Sequence, residues 1–215
     1  MRLVAHRSNW ICGAATIGLV SLLLGTTAQA QAPMPSEADI VTALTPKPVT
    51  RSLSVGAQTS ATSEADQAFV REIQNRRTRS LSTGDRAKLA TITSAKPKID
   101  LDIPFEYNSS KIGDSARPAV DRLGAALAHP QIKGSTFLIA GHTDAKGGES
   151  YNQGLSERRA EAVRRYIVEK YHLAPNTLIS VGYGKTRLKN TNEPLADENR
   201  RVEVTNAVDA KTAAR

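Results

Sequence analysis

Two charged residues stand where a charge needs a physical reason. Arg159 lies four residues after Leu155 and four before Val163, inside the apolar stripe of the longest helical stretch. A guanidinium aimed at the protein body must find hydrogen-bonding partners of opposite charge. Either a ligand carboxylate supplies them, or the side chain snorkels at the first turn of its helix or pairs with an internal acid. Asp144 ends Gly141-His142-Thr143-Asp144, just past the apolar run of residues 136 to 140. That is the carboxyl edge of a strand, where open α/β sheets collect ligands. The alternative is a loop residue that accepts from backbone amides ahead of Gly147 and Gly148.

Catalytic constellations are poorly supported. Ser109, Ser110 or Ser156 could be combined with His142 and Asp144 as a triad, but no Gly-x-Ser-x-Gly elbow occurs. His129, His142 and His172 have no metal-ligand spacing, and the single cysteine, Cys12, excludes cysteine-based metal sites. Gly184-Lys185-Thr186 ends like a phosphate-binding loop, yet Ile179 stands where its first glycine belongs. No catalytic residue, metal or cofactor is expected.

The elements that must position Arg159 and Asp144 follow from periodicity. Ile99, Leu101, Ile103, Phe105 and Tyr107 alternate with polar residues, which predicts a strand with one apolar face; Pro104 places a non-donating nitrogen on it, so its neighbour lies on the other side or the strand ends early. Asp114 or Ser115 is expected to cap a helix with Pro118 in its first turn and Ala116, Val120, Leu123 and Leu127 buried, stopped by His129-Pro130. Residues 136 to 140 read as a central strand. The long helix is expected over residues 152 to 171, with Leu155, Ala162, Val163, Tyr166, Ile167 and Lys170 on one stripe and Arg158, Glu161, Arg164 and Arg165 outside. Strands over residues 178 to 183 and 201 to 205 complete a β-α-β-α-β-β order. That order predicts an α+β, two-layer domain with a small mixed sheet.

The remainder reads as delivery and preface. Arg2 and Arg7 precede a 15-residue apolar run and then Ala28-Gln29-Ala30, the form of a signal peptide cleaved after residue 30. The run is short of the roughly 20 residues that span a bilayer. Residues 31 to 62, rich in Ala, Pro, Ser, Thr and Gln, read as a flexible linker. Residues 63 to 96 read as a helical preface able to dock on the main domain, residues 97 to 206 as that domain, and residues 207 to 215 as a tail. Thr-Arg-Ser-Leu occurs at 50 to 53 and again at 78 to 81, with flanks too different for a true repeat. The 66 residues between 31 and 96 are too few for even an eight-stranded membrane barrel. Net charge is +8, but the basic excess is spread along the chain rather than gathered on an aromatic-bearing face, which argues against a nucleic-acid partner.

Taken in order, Gly141-His142-Thr143-Asp144, Tyr151-Asn152, Leu155-Ser156-x-x-Arg159-Ala160, Val181-Gly182-Tyr183-Gly184 and Asn199-Arg200-Arg201-Val202 resemble the OmpA-like peptidoglycan-binding domain. This family includes OmpA C-termini, the Pal lipoprotein and flagellar stator proteins, and the resemblance covers roughly residues 97 to 206. It implies that Asp144 and Arg159 hold the free end of meso-diaminopimelate in the peptidoglycan stem peptide. Asp144 would accept from the ammonium while Arg159 forks onto the carboxylate. Asn108, Thr143, Asn152 and Leu155 correspond to pocket positions; Asn199, Arg200 and Arg201 correspond to supporting ones. The implied protein is exported, non-catalytic and wall-bound in the periplasm of a Gram-negative cell envelope, near the outer membrane, with an envelope partner for residues 31 to 96. A cell-wall hydrolase and a stator-like protein anchored in the inner membrane are the alternatives. The chain departs from the family pattern at Pro104 and in the loop from Tyr183 to Asn199, which lacks the usual Gly-Arg. Both departures are expected to lie clear of Asp144 and Arg159.

Overall fold

Residues 136 to 140 carry apolar side chains on both strand faces, so the segment can be satisfied only at the centre of a sheet covered on both sides. In the computed structural model, which describes residues 34–46, 64–74, 76, 81–106 and 108–210, it forms β2 (Thr136–His142), with every residue buried. β4 (Val202–Val208) pairs antiparallel on one side of it, Ile139 opposite Val204. β3 (Leu178–Gly184) pairs parallel on the other, Leu138 opposite Ile179. β1 (Lys98–Leu101) adds antiparallel to β4, giving the order β1-β4-β2-β3.

Successive residues of a strand face opposite ways, and the two faces bury different helices. Phe137, Ile139, Leu178, Val202 and Val204 pack with Val120, Leu123 and Leu127 of α4 (Arg117–Ala128) and with Ala160, Val163 and Ile167 of α5 (Glu149–Tyr171). Leu138, Ala140, Ile179, Val181 and Tyr183 pack instead with Val70 and Ile73 of α2 (Glu64–Gln74) and with Leu89 and Ala90 of α3 (Thr83–Thr93). The mixed sheet and its helices are the expected α+β domain, and the preface helices dock across the face that this domain leaves open.

α5 comes unusually close to the sheet. A Cβ on Gly141 would stand 2.4 Å from the Ser156 carbonyl oxygen, and one on Gly182 would stand 2.5 Å from the Glu157 nitrogen. Only glycine permits that approach. The helix also occupies main-chain groups of the edge strand β3. Arg164 Nε donates to the Leu178 carbonyl at 2.8 Å, Gln153 Nε2 to the Gly182 carbonyl at 2.8 Å, and the Gly184 amide donates to Ser156 Oγ at 2.9 Å. An edge so occupied offers less to a foreign strand.

Several sequence expectations are corrected. Part of the expected linker is α1 (Glu37–Leu44), which starts with a capping box between Ser36 and Asp39 and buries Ile40, Val41 and Leu44 in the α4–α5 core. Its two turns were hidden by the polar residues around them, although Ser36 with Asp39 three residues on is an N-terminal helix signal. The first strand ends early, at Leu101, and Pro104 lies in the irregular segment three residues on, where its non-donating nitrogen needs no ladder partner. The α4 cap is Ala116, with no side-chain bond; Asp114 pairs with Arg117 instead. Glu161 and Arg164 face the β3 edge rather than solvent, since Ser180 Oγ donates to Glu161 at 2.7 Å. The sheet continues past residue 206 to Val208, so Ala207 and Val208 belong to the core and not to the tail. The signal segment, residues 31–33, 47–63, 75 and 77–80, Tyr107 and residues 211–215 lie outside the described residues, and with them both copies of Thr-Arg-Ser-Leu except Leu81. Among the described residues no helix is long and apolar enough to cross a membrane.

Candidate functional site

The carboxyl end of β2, the segment that follows β1, the amino end of β4 and Arg159 in the third turn of α5 enclose a cleft of about 240 Å³. Phe105, Arg159, Asp102, Asp197, Arg200 and His142 are among its lining residues. Arg159 projects from α5 and is half-buried. Its guanidinium lies 4.9 Å over the Phe105 ring, its Nε donates to the Ser109 carbonyl at 3.0 Å, and its Nη2 donates to the Glu106 carbonyl at 3.4 Å. No carboxylate is hydrogen-bonded to it among the described residues. Burial pulls its pKa below the ordinary arginine value, with the nearby Tyr151 and Asp144 opposing that pull and Arg200 and Arg158 adding to it. The group therefore sits as an oriented cation held by main-chain carbonyls and a ring, with the Asp144 charge nearby.

Asp144 leaves the end of β2 and is held twice. Oδ1 accepts from the Lys146 amide at 3.0 Å, the local turn bond expected of a loop aspartate, and Oδ2 accepts from Arg200 Nη1 at 3.0 Å. Arg200 also pairs with Asp197 through Nη2. Arg200, expected to support the pocket, lines the cleft itself and holds Asp144.

The other expected residues fall around this pair. Asn108 adopts a left-handed conformation, φ 53°, in the turn between the Glu106 and Ser109 carbonyls that bind Arg159, and its Oδ1 accepts from Tyr151 Oη at 2.6 Å. Thr143 is buried beside Asp144 with its amide on the Gly184 carbonyl, Asn152 is buried and donates to the Lys146 carbonyl, and Leu155 is buried below Arg159. Asn199 is fully buried and organises the long loop, accepting from the Lys189 and Asn190 amides and donating to the Asn190 and Glu193 carbonyls. Arg201 is turned to Asp100 on β1, Nε to Oδ1 at 3.1 Å.

The two departures from the family pattern do touch the site, contrary to expectation. The Pro104 segment supplies the ring and a carbonyl that hold Arg159. The long loop supplies Asp197, and its Pro194 carbonyl accepts from the Ala145 amide at 2.9 Å.

The triad is not assembled. Ser156 Oγ is taken by Gln153 and Gly184, and His142 bonds to no serine or aspartate among the described residues. Burial, reinforced by Arg201, pushes the His142 pKa down to about 3, so the imidazole is neutral near pH 7. Asp102 and Asp197 are the cleft-lining acids that sequence reading missed, because an exposed loop aspartate carries no periodic signal. Among the described residues no group of three or more His, Cys, Asp or Glu side chains could hold a metal.

Residues 104–201 match the OmpA family. The chain is 38% identical over 125 residues to the peptidoglycan-associated lipoprotein of Pseudomonas aeruginosa, covering 57% of this chain and 67% of that protein. It is 34% identical over 122 residues to outer membrane porin F of the same species, 53% of this chain but 33% of the porin. The chain thus spans about a third of the length of the porin relatives. The OmpA-like domain of FopA1 from Francisella tularensis is similar with a TM-score of 0.43 at 25% identity, over 50% of this chain and 70% of that one. With its matched segment enclosing both Asp144 and Arg159, the chain belongs to the OmpA family.

Proposed function

We propose that this protein binds peptidoglycan without turning it over, gripping the free end of meso-diaminopimelate in the cleft, and that it is an exported protein of the cell envelope that tethers or organises the wall. The observation that carries the reading is the distribution of charge. Among the described residues no carboxylate is hydrogen-bonded to Arg159, while Arg200, which lines the same cleft, is shared by two carboxylates, Asp144 and Asp197. The cleft thus presents a guanidinium with open donors and a carboxylate pair that outnumbers its guanidinium. An amino-acid end with an ammonium and a carboxylate on one carbon complements both, and a guanidinium fork meets a carboxylate with two parallel hydrogen bonds. The lipoprotein relative is named for association with peptidoglycan, which supports the choice of ligand. The unassembled triad supports binding over hydrolysis.

The test is a sacculus pull-down of protein recovered from a periplasmic extract, whose N-terminus should read Gln31, with and without competing meso-diaminopimelate. Asp144→Ala or Arg159→Ala should lose most binding, since removing one member of a desolvated charge pair costs about 2–5 kcal/mol. Arg159→Lys should weaken it through loss of the fork. The exposed Arg158→Ala should change little. Equal loss in Arg158→Ala and Arg159→Ala, with all variants folded by circular dichroism, would replace the cleft with diffuse charge attraction. Released muropeptides would establish the hydrolase instead.

A further inference from the structure

Resting on the wall-binding reading, we propose that Asp197 is a specificity-determining residue. By sharing Arg200 it leaves the Asp144 carboxylate able to meet a ligand ammonium, so the cleft selects a zwitterionic amino-acid end over the same carbon chain without the amine. Arg200 reaches the two acids through different nitrogens, Nη1 to Asp144 and Nη2 to Asp197. Without Asp197, Arg200 and Asp144 would form a neutral one-to-one pair. An incoming ammonium would then have to displace a guanidinium from its only carboxylate. With Asp197 present, the group carries one negative charge in excess, and Arg200 keeps a partner when Asp144 turns to the ligand. That excess stands opposite in sign to the Arg159 guanidinium, as the ammonium and the carboxylate of the ligand end do to each other.

The position of Asp197 is built rather than incidental. It opens the 3-10 turn Asp197–Asn199, and the fully buried Asn199 side chain fixes that turn with four hydrogen bonds to the loop backbone. The turn also closes on itself, the Arg200 amide donating to the Asp197 carbonyl at 2.8 Å. Asp197 side-chain exposure is 89%, so its influence is through the charge it lends to Arg200, and the effect is moderate. Exposed pairs are worth about 0.2–1 kcal/mol, which is up to about fivefold in affinity.

The experiment measures how meso-diaminopimelate and pimelate, the dicarboxylate without amines, compete for sacculus binding by the purified protein, wild type and Asp197→Asn. Wild type should prefer meso-diaminopimelate. In Asp197→Asn the affinity for meso-diaminopimelate should fall by up to about fivefold at low salt while that for pimelate does not fall, so the preference narrows. Glu198→Gln, which removes a neighbouring loop acid bonded to Asn190 outside the cleft lining, should leave the preference as it was. Equal loss for both competitors, or loss for neither, would overturn the assignment of Asp197 while leaving wall binding standing. Failure of wild type to bind sacculi, or undiminished binding by Arg159→Ala, would overturn both.

Discussion

Arg159 and Asp100 show how differently two partly buried charges can be treated in one protein. Arg159 is held by carbonyls and a ring and keeps its charge available, whereas Asp100 is consumed by the scaffold, paired with Lys189 at 2.9 Å and Arg201 at 3.1 Å. Burial raises the Asp100 pKa, and the two cations outweigh it, holding the carboxyl below its ordinary 3.8. A carboxylate with a depressed folded-state pKa adds stability that is present above its unfolded value and is lost as pH falls through the folded one. Asp100→Asn should therefore cost about 1–2 kcal/mol at pH 7, chiefly by leaving Arg201 short of a partner. The gap from wild type in urea unfolding should close as the pH is lowered below 3.8. A gap that does not change with pH would show that the pair contributes nothing through charge.

At the scale of elements, the site depends on how near α5 sits to the sheet. Gly141 and Gly182 let the helix approach until its backbone nearly touches β2 and β3, and Ser156 then reaches the Gly184 amide. This approach sets Arg159, one turn further along α5, over the cleft. Gly182→Ala should destabilise by about 2–3 kcal/mol, because the added methyl meets backbone that cannot step aside. Gly148→Ala, where an added Cβ meets open space, should stay within about 0.5 kcal/mol of wild type. Thermal unfolding of the two variants separates them, and equal shifts would refute close packing as the reason for the glycine.

Across the whole molecule, the helices N-terminal to the matched segment are part of the folding unit rather than appendages. Leu44 of α1 is 0% exposed in the core on one face of the sheet, and Leu89 of α3 is 0% exposed on the other. Leu44→Ala and Leu89→Ala should each lower stability by about 2–5 kcal/mol in a single cooperative transition. If Leu44→Ala were silent, α1 would have to dock too weakly to count as core.

The parts legible from sequence were those governed by local chemistry repeated over many residues. The all-apolar run of β2, the stripe of α5, the proline that follows β1 and the ordered motifs around Asp144 and Arg159 each state their own requirement. Tertiary structure decided what depends on residues far apart in the chain. Nothing near residue 159 says that its guanidinium will find the carbonyls of Glu106 and Ser109, and nothing near residue 144 announces Arg200, 56 positions on. The short α1 likewise shows its purpose only once α4 offers an apolar surface, since two turns of helix are too few to be stable alone. Local pattern records what a segment must bury; which charges are left over after other groups have found their partners is a property of the whole packed chain, and the proposed binding cleft is built from that remainder.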